Sequence, residues 1–325
     1  MMDAISYTSQ WTAAARALET ERGDDALFED TLAREFAAPR GFELLDKYRG
    51  SGVVEFVAIR TRFLDDTIAS LLSSTPIRQV VLVAAGMDAR AFRLRWPEDT
   101  MVYEVDHRAL LDEKQRRLSR LGAQPVVRRR EVPADLAQDW LPELTRAGFE
   151  GLRPTLWVIE GLLFFLSEEQ ASTLLRRIAS VSAPGSWLAL DILSKQSLQS
   201  PITRSFLAAL EKDGTPWRFG TDEPAEFLAA NGWRLRELKE PGEPGAGLNR
   251  WPYPVHPREV RGVPRNWLIR AEIMPLLNTR RDRDRRGAGG DRGVEQKLGD
   301  FPGLRADPLV GLHGADHRGP FDQYQ

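Results

Sequence analysis

Residues 79–106 read QVVLVAAGMDARAFRLRWPEDTMVYEVD, and the fold turns on them. After Gln79 the run VVLVA carries no polar side chain, which predicts a short strand buried on both faces, QVVLVA (79–84). The pattern returns in MVYEVD (101–106), a second strand that ends on an acid. Strand-like runs recur downstream as VVRRREV (126–132), TLWVIE (155–160) and WLALDIL (187–193). HRALLDEKQRRLSRL (107–121) and SEEQASTLLRRIASVS (167–182) lie between them as crossover helices, the second with Ser167 at its N-cap and Glu168 and Glu169 in its first turn. Strands alternating with amphipathic helices specify βαβ units, hence a parallel, doubly wound α/β sheet.

Two helical stretches, 202–214 and 223–232, precede the strand candidates WRLRELKE (233–240) and RNWLIRAEIM (265–274), which are expected to close the sheet edge as an antiparallel hairpin. The intervening PGEPGAGLNRWPYPVHP (241–257) has too many Pro and Gly for regular structure and reads as a surface loop. Upstream of residue 75, apolar positions such as Val53, Val54, Val57, Ile68, Leu71 and Leu72 follow helical spacing, as lid or scaffold helices would. Residues 281–325 lack apolar periodicity and are rich in Gly, Arg and Asp, the composition of a disordered tail. The expected organisation is a helical lid (1–75), a seven-stranded α/β domain (76–275) and a tail (276–325).

Composition narrows the function. The 325 residues hold 45 basic and 47 acidic side chains, a formal charge of −2, so no overall field draws a polyanion and nucleic acid is not the expected partner. Apolar residues make up 42% of the chain, enough for a sizeable core. The absence of cysteine removes disulfides, thiolate metal sites and thiol nucleophiles, and points to a reducing compartment. Neither a secretory leader nor a membrane span is legible, so a cytoplasmic protein without a membrane partner is expected.

In an open α/β sheet, ligands sit beyond the carboxyl ends of the strands at the switch point. Four strand ends deserve inspection there. Gly86 in AAGMDAR (84–90) lets the backbone bend tightly, although one glycine also suits any strand-to-helix turn. Asp106 lies 20 residues on, the spacing at which an acid on the second strand reaches the ribose hydroxyls of an adenosine; capping the helix that starts near His107 is its structural alternative. In ADL (134–136), Asp135 suits an adenine amino group and Leu136 the ring, or Asp135 caps a helix leading to Trp140. Glu160, in IEGLLFFL (159–166), is placed to hold an ammonium or to counter a sulfonium charge, or to pair with an arginine, and the apolar run after it reads as core packing.

Taken together these segments resemble the class I S-adenosylmethionine-dependent methyltransferases of the leucine carboxyl methyltransferase type, and most closely the bacterial, actinomycete-rich branch. The resemblance rests on IRTRFLDD (59–66), VVLVAAGMDARAFRL (80–94), YEVDHRALLDEK (103–114), VPADLAQDW (132–140), the stretch 159–186 and NWLIRAE (266–272), within residues 10–275. It implies a Rossmann-like fold and S-adenosyl-L-methionine as cofactor. It also implies Arg60 at the methionine carboxylate, with Arg62 as the competing assignment; Gly86 in the glycine turn; Asp106 at the ribose; Asp135 and Leu136 at the adenine; and Glu160 at the methionine end. Ala84 stands where the family usually has the first glycine of Gly-Ala-Gly, and its methyl either crowds the cofactor or is absorbed by a small backbone shift.

The activity so implied is O-methylation of a carboxyl or hydroxyl group on a small molecule or peptide. A carboxylate acceptor needs no general base, whereas a hydroxyl needs one. Of the 4 histidines, His313 and His317 fall in the tail, His107 reads as a helix N-terminal residue, and His256 lies near Trp251 and Tyr253 in the Pro-rich loop. Trp217 and Phe219 are candidates for the acceptor pocket, with core packing as the default for both. An NAD-dependent oxidoreductase shares this sheet, but the three-glycine fingerprint is absent and the closing hairpin is antiparallel. A nucleoside-binding protein without catalysis is the third reading.

Overall fold

The computed structural model describes residues 4–48, 50–247 and 249–275. The expected tail, 276–325, lies outside the described residues. Three helices come first, α1 (Ala4–Thr20), α2 (Ala33–Lys47) and α3 (Val53–Ser74). The sheet strands follow as β1 (Gln79–Val83), β2 (Met101–Asp106), β3 (Arg128–Pro133), β4 (Thr155–Ile159), β5 (Trp187–Leu193), β6 (Trp233–Lys239) and β7 (Asn266–Ile273). Between them run α4 (Arg90–Arg93), α5 (Arg108–Leu121), α6 (Leu141–Arg146), α7 (Glu168–Ser180), α8 (Lys195–Gln199), α9 (Arg204–Lys212) and α10 (Pro224–Ala230).

The strands form one sheet in the order β3-β2-β1-β4-β5-β7-β6, parallel through β5 and antiparallel where β7 pairs with both β5 and β6. The doubly wound sheet and its antiparallel hairpin are as the sequence reads, with β6 at the edge and β7 inserted beside β5. β3 starts two residues later than the apolar run suggested, because Val126 is exposed and only the alternation from Arg128 onward pairs with β2. The order reverses between β1 and β4, and that switch point sets the site.

Each face of the sheet buries its own layer. Val81, Val83, Trp157, Ile159, Leu188 and Leu190 pack with Trp140 and with Leu174, Leu175 and Ile178 of α7. Val80, Leu82, Val102, Leu156, Val158 and Ala189 pack on Phe63, Leu64, Ile68, Leu71 and Leu72 of α3. Both faces of β1 and β4 are therefore dry, which explains their unbroken apolar runs. Helix α7 begins as expected: the Ser167 hydroxyl accepts the Gln170 N–H at 3.2 Å while the Gln170 side chain accepts the Ser167 N–H at 2.8 Å, a capping box.

Helix α2 is broken by Pro39, and Ala38 takes a left-handed φ of 50°. Proline lacks an N–H, so carbonyls one turn earlier lose their helical donor. Arg117 of α5 replaces it, donating from Nη1 to the Glu35 carbonyl at 3.0 Å and the Phe36 carbonyl at 2.7 Å. The Pro-rich stretch after β6 is irregular, as expected, but not wholly superficial: Ala246 is buried among the α3-side residues, and a Cβ on Gly247 would sit 2.4 Å from Ile59 Cγ1.

Candidate functional site

β1 pairs with β2 on one side and β4 on the other, with Val83 opposite both Val105 and Ile159. The turn that starts at Ala84, the carboxylate of Asp106 and that of Glu160 therefore emerge at one level. Ala84 and Gly86 have φ of 55° and 49°. At Gly86 the lack of a side chain matters twice, because an added Cβ would also lie 3.1 Å from Ser9 Cβ on α1.

The 20-residue spacing becomes a contact: the Gly86 N–H donates to Asp106 Oδ2 at 2.7 Å, and the His107 N–H donates to Oδ1 at 2.7 Å. These two bonds fix the plane of the carboxylate and leave each oxygen a further lone pair. Burial pushes the Asp106 carboxyl above the usual carboxylate range, against the pull of the two N–H groups. Capping is not its role, since α5 starts at Arg108 with His107 at the N-cap. The third segment is tied to the second where the Ala134 N–H donates to the Asp106 carbonyl at 2.9 Å. Asp135 closes a turn by accepting the Ala137 N–H at 2.9 Å; it caps no helix, because α6 begins only at Leu141, where Pro142 suits the first turn. Leu136 is half-buried against the adjoining core.

Glu160 binds two guanidinium groups at once. Its Oε1 accepts Arg60 Nε at 3.0 Å and its Oε2 accepts Arg90 Nη1 at 2.7 Å. The arginine-paired alternative is thus correct as a description. Burial alone would push the Glu160 carboxyl up, but Arg90, Arg60 and Arg16 outweigh it and hold it at about 2. Arg60 also donates Nη1 to Asp191 Oδ2 at 3.1 Å, while Asp191 Oδ1 accepts the Gly161 N–H at 2.7 Å. Arg60 is 3% exposed and lies within this network. Arg62 lies outside it, half exposed and held by Asp66 at 2.9 Å and by the Leu27 carbonyl at 2.6 Å.

The charge network runs on beyond residues the sequence had marked. Arg90 donates Nε to Asp65 at 2.7 Å and also pairs with Asp88; Arg93 binds Asp65 at 2.6 Å; Arg16 of α1 binds Asp30 at 2.9 Å and the Met87 carbonyl at 2.5 Å. Asp88 is drawn below the usual range by Arg90 although burial opposes this. Burial pushes Asp191 up. Two signals for the missed members were present: Asp191 is a lone acid inside the apolar WLALDIL, and Arg90 sits in the AGMDAR turn itself. Arg90 Nη2 is buried and has no hydrogen-bond partner among the described residues.

The remaining candidates separate. Trp217 lies between Phe164, tilted at a centroid distance of 4.5 Å, and Phe206, edge-on at 5.0 Å, whereas Phe219 is buried against Phe227 in the core. His107 and His256 are exposed, and the contact of His256 is through its carbonyl, which accepts Arg265 Nη1 at 3.0 Å. Leu163 and Phe164, after Glu160, are core residues as expected.

With this geometry in hand, comparison identifies the class. Residues 9–179 match the family model of the leucine carboxyl methyltransferases. The chain belongs to that family and is a methyltransferase, which sets aside the oxidoreductase. A relative from Mycobacterium avium (strain 104), provisionally named an S-adenosyl-L-methionine-dependent methyltransferase, is 35% identical over 272 residues, covering 73% of this chain and 86% of its own. A relative from Parafrankia sp. (strain EAN1pec) with the same provisional name is 38% identical over 245 residues, covering 72% and 78%. Among solved structures, a DUF574 family protein of Streptomyces avermitilis aligns with a TM-score of 0.54 at 17% identity, over 80% of this chain and 97% of that one. A provisionally named methyltransferase of Thermobifida fusca aligns at 0.53 and 19%, over 80% and 94%. These two establish the shared fold. Among the described residues, no helix is long and apolar enough to cross a membrane.

Proposed function

We propose that the protein is an O-methyltransferase that takes its methyl group from S-adenosyl-L-methionine and delivers it to a carboxyl or hydroxyl oxygen of a small molecule or peptide. The observation that carries the donor site is the Gly86–Asp106 bond at the switch point, beside a buried charge network at the end of β4. Asp106 receives the ribose hydroxyls, Asp135 and Leu136 the adenine, and the Ala84–Gly86 turn the backbone-close part of the nucleoside. Arg60, Glu160 and the unpartnered Arg90 Nη2 serve the amino-acid end. The donor supplies a methyl already activated by a positive sulfonium. The nine network side chains, Arg16, Arg60, Arg90 and Arg93 with Asp30, Asp65, Asp88, Glu160 and Asp191, sum to one negative charge, which complements that cation.

A carboxylate acceptor is favoured by what surrounds the site. Glu160 is held ionised with both oxygens on guanidinium groups, and the free lone pairs of Asp106 are taken by the ribose hydroxyls in this reading. The Glu160 carboxyl, held that far below the usual range, is a poor base toward a hydroxyl proton. An ionised carboxylate acceptor needs no base, and positioning suffices.

Calorimetric titration with S-adenosylmethionine, S-adenosylhomocysteine and NAD tests the donor: the first two bind and NAD does not. Asp106→Ala should weaken donor affinity by more than about tenfold, the equivalent of a charged hydrogen bond of about 1.5–3 kcal/mol. Unchanged affinity in a variant with wild-type circular dichroism would remove the ribose assignment.

A further inference from the structure

A cavity of about 270 Å³ lies between α1, α2 and the turn that follows α9. Its apolar wall is Trp11, Leu44 and Tyr48, and its polar groups are Thr8, Thr215, Arg40 and Asp213. We propose that this cavity is the acceptor subsite and that it takes a flat carboxylic acid of one or two aromatic rings. The proposal rests on the methyltransferase reading above and assigns the substrate class that reading leaves open.

Four observations carry it. First, Trp11 is only 4% exposed, yet its Nε1–H has no acceptor among the described residues. An indole N–H can only donate, so the group it lacks is an oxygen acceptor. Second, the charge at the cavity favours an anion. Asp213 is already balanced by Lys47 Nζ at 2.9 Å and accepts the Tyr48 hydroxyl at 2.9 Å, while Arg40, which also acts electrostatically on Asp213, is hydrogen-bonded to the exposed Glu43 at 3.1 Å, a pair worth little in water.

Third, the surroundings are aromatic. Trp11 meets Tyr48 edge-on at 5.7 Å, Tyr48 meets Phe206 at 5.3 Å, Phe206 meets Trp217 at 5.0 Å, and Trp217 meets Phe164 at 4.5 Å. Such edges and faces select a ring over an alkyl chain. Fourth, the cavity is joined to the donor site by the chain itself. Phe164 follows Glu160 by four residues, and its carbonyl accepts the Arg218 N–H at 2.6 Å, which pins the Thr215–Phe219 stretch beside the end of β4. α1 brings Thr8 and Trp11 to the cavity and Ser9 to the Gly86 turn. The volume lies just below the usual range of about 300–1,000 Å³ for small-molecule pockets, which limits the guest to one or two rings.

The test uses the full chain saturated with S-adenosylhomocysteine, with 1-naphthoic acid, indole-3-acetic acid and octanoic acid as calorimetric probes. One of the aromatic acids should bind at a single site more tightly than octanoic acid. Trp11→Phe keeps a ring and removes the N–H, and should weaken that acid at least fivefold. Leu44→Trp should fill the cavity and abolish binding, and both variants should hold S-adenosylhomocysteine within twofold of wild type. Thr215→Leu, which enlarges the side chain and gives up only the hydroxyl's 3.3 Å bond to the Leu210 carbonyl of α9, replaces either variant that fails to melt cooperatively. Failure of every probe at millimolar concentration, equal binding of octanoic acid, or undiminished binding to Leu44→Trp would overturn the assignment. If S-adenosylhomocysteine does not bind while an aromatic acid still does, the donor reading fails and the cavity stands.

Discussion

Replacing Glu160 by Gln tests the centre of the site with one atom exchanged. The carboxyl has a value of about 2 in the folded protein against 4.5 ordinarily. That depression amounts to about 3 kcal/mol of interaction that favours the charged form. The side chain is 17% exposed, so little of this is screened. Glutamine keeps one acceptor and turns an N–H₂ toward Arg60 Nε or Arg90 Nη1, leaving a buried guanidinium short of a partner. A group whose folded value is depressed contributes its stability above the unfolded value and loses it as pH falls toward the folded one. Urea unfolding should therefore place Glu160→Gln about 3 kcal/mol below wild type at pH 7. The difference should persist to about pH 5 and shrink as the pH drops below 4.5 toward 2. A gap under about 1 kcal/mol at pH 7, or one that does not change between pH 5 and 3, would refute the ionised two-arginine clamp.

Two further substitutions probe the scaffold. Lys114 is fully buried and pairs with the equally buried Glu104 at 2.7 Å, so Lys114→Met should cost about 3 kcal/mol in urea unfolding, with Glu104→Gln in the same chain recovering part of it; a loss under 1 kcal/mol would show that Arg129, also 2.7 Å from Glu104, suffices alone. Ala84→Gly relieves a left-handed strain of about 1–2 kcal/mol and adds about 0.4–1 kcal/mol of unfolded-state entropy, so it should raise stability by less than about 1.5 kcal/mol. A marked destabilisation in differential scanning calorimetry would contradict that backbone conformation.

The sheet was legible because strands buried on both faces leave an unbroken apolar record, and the spacing from Gly86 to Asp106 was legible because one turn and one strand pair fix it. The 126–132 run misled by two residues, since an exposed Val126 carries no burial signal of its own. The charge network was harder to read. Arg60 and Asp191 are 131 residues apart and Arg90 and Glu160 are 70 apart, so only the three-dimensional pairing shows that they share partners. Asp135 illustrates a different limit: a short polar side chain after a strand suits a helix cap and a turn equally, and Pro142 decided the matter by placing the helix start further on.

A buried ion network is a poor source of stability, because desolvation offsets most of the pairing and apolar packing would serve as well. Its position therefore calls for an explanation. Here the pairs gather at the carboxyl ends of β1 and β4, on groups drawn from α1, α3, α4, β5 and the end of β4, and two guanidinium nitrogens, Arg90 Nη2 and Arg93 Nε, have no hydrogen-bond partner among the described residues. Charges fixed before a ligand arrives cost no reorganisation when it does, which is how a water-poor site stabilises a cation and a carboxylate together. The same fixing holds α1: Arg16 grips the Met87 carbonyl beside the Gly86 turn and Asp30 beyond it. Loss of Glu160 would thus weaken the network at the end of β4 and, through Arg90, Asp65, Arg93 and Asp30, the hold on α1 through Arg16.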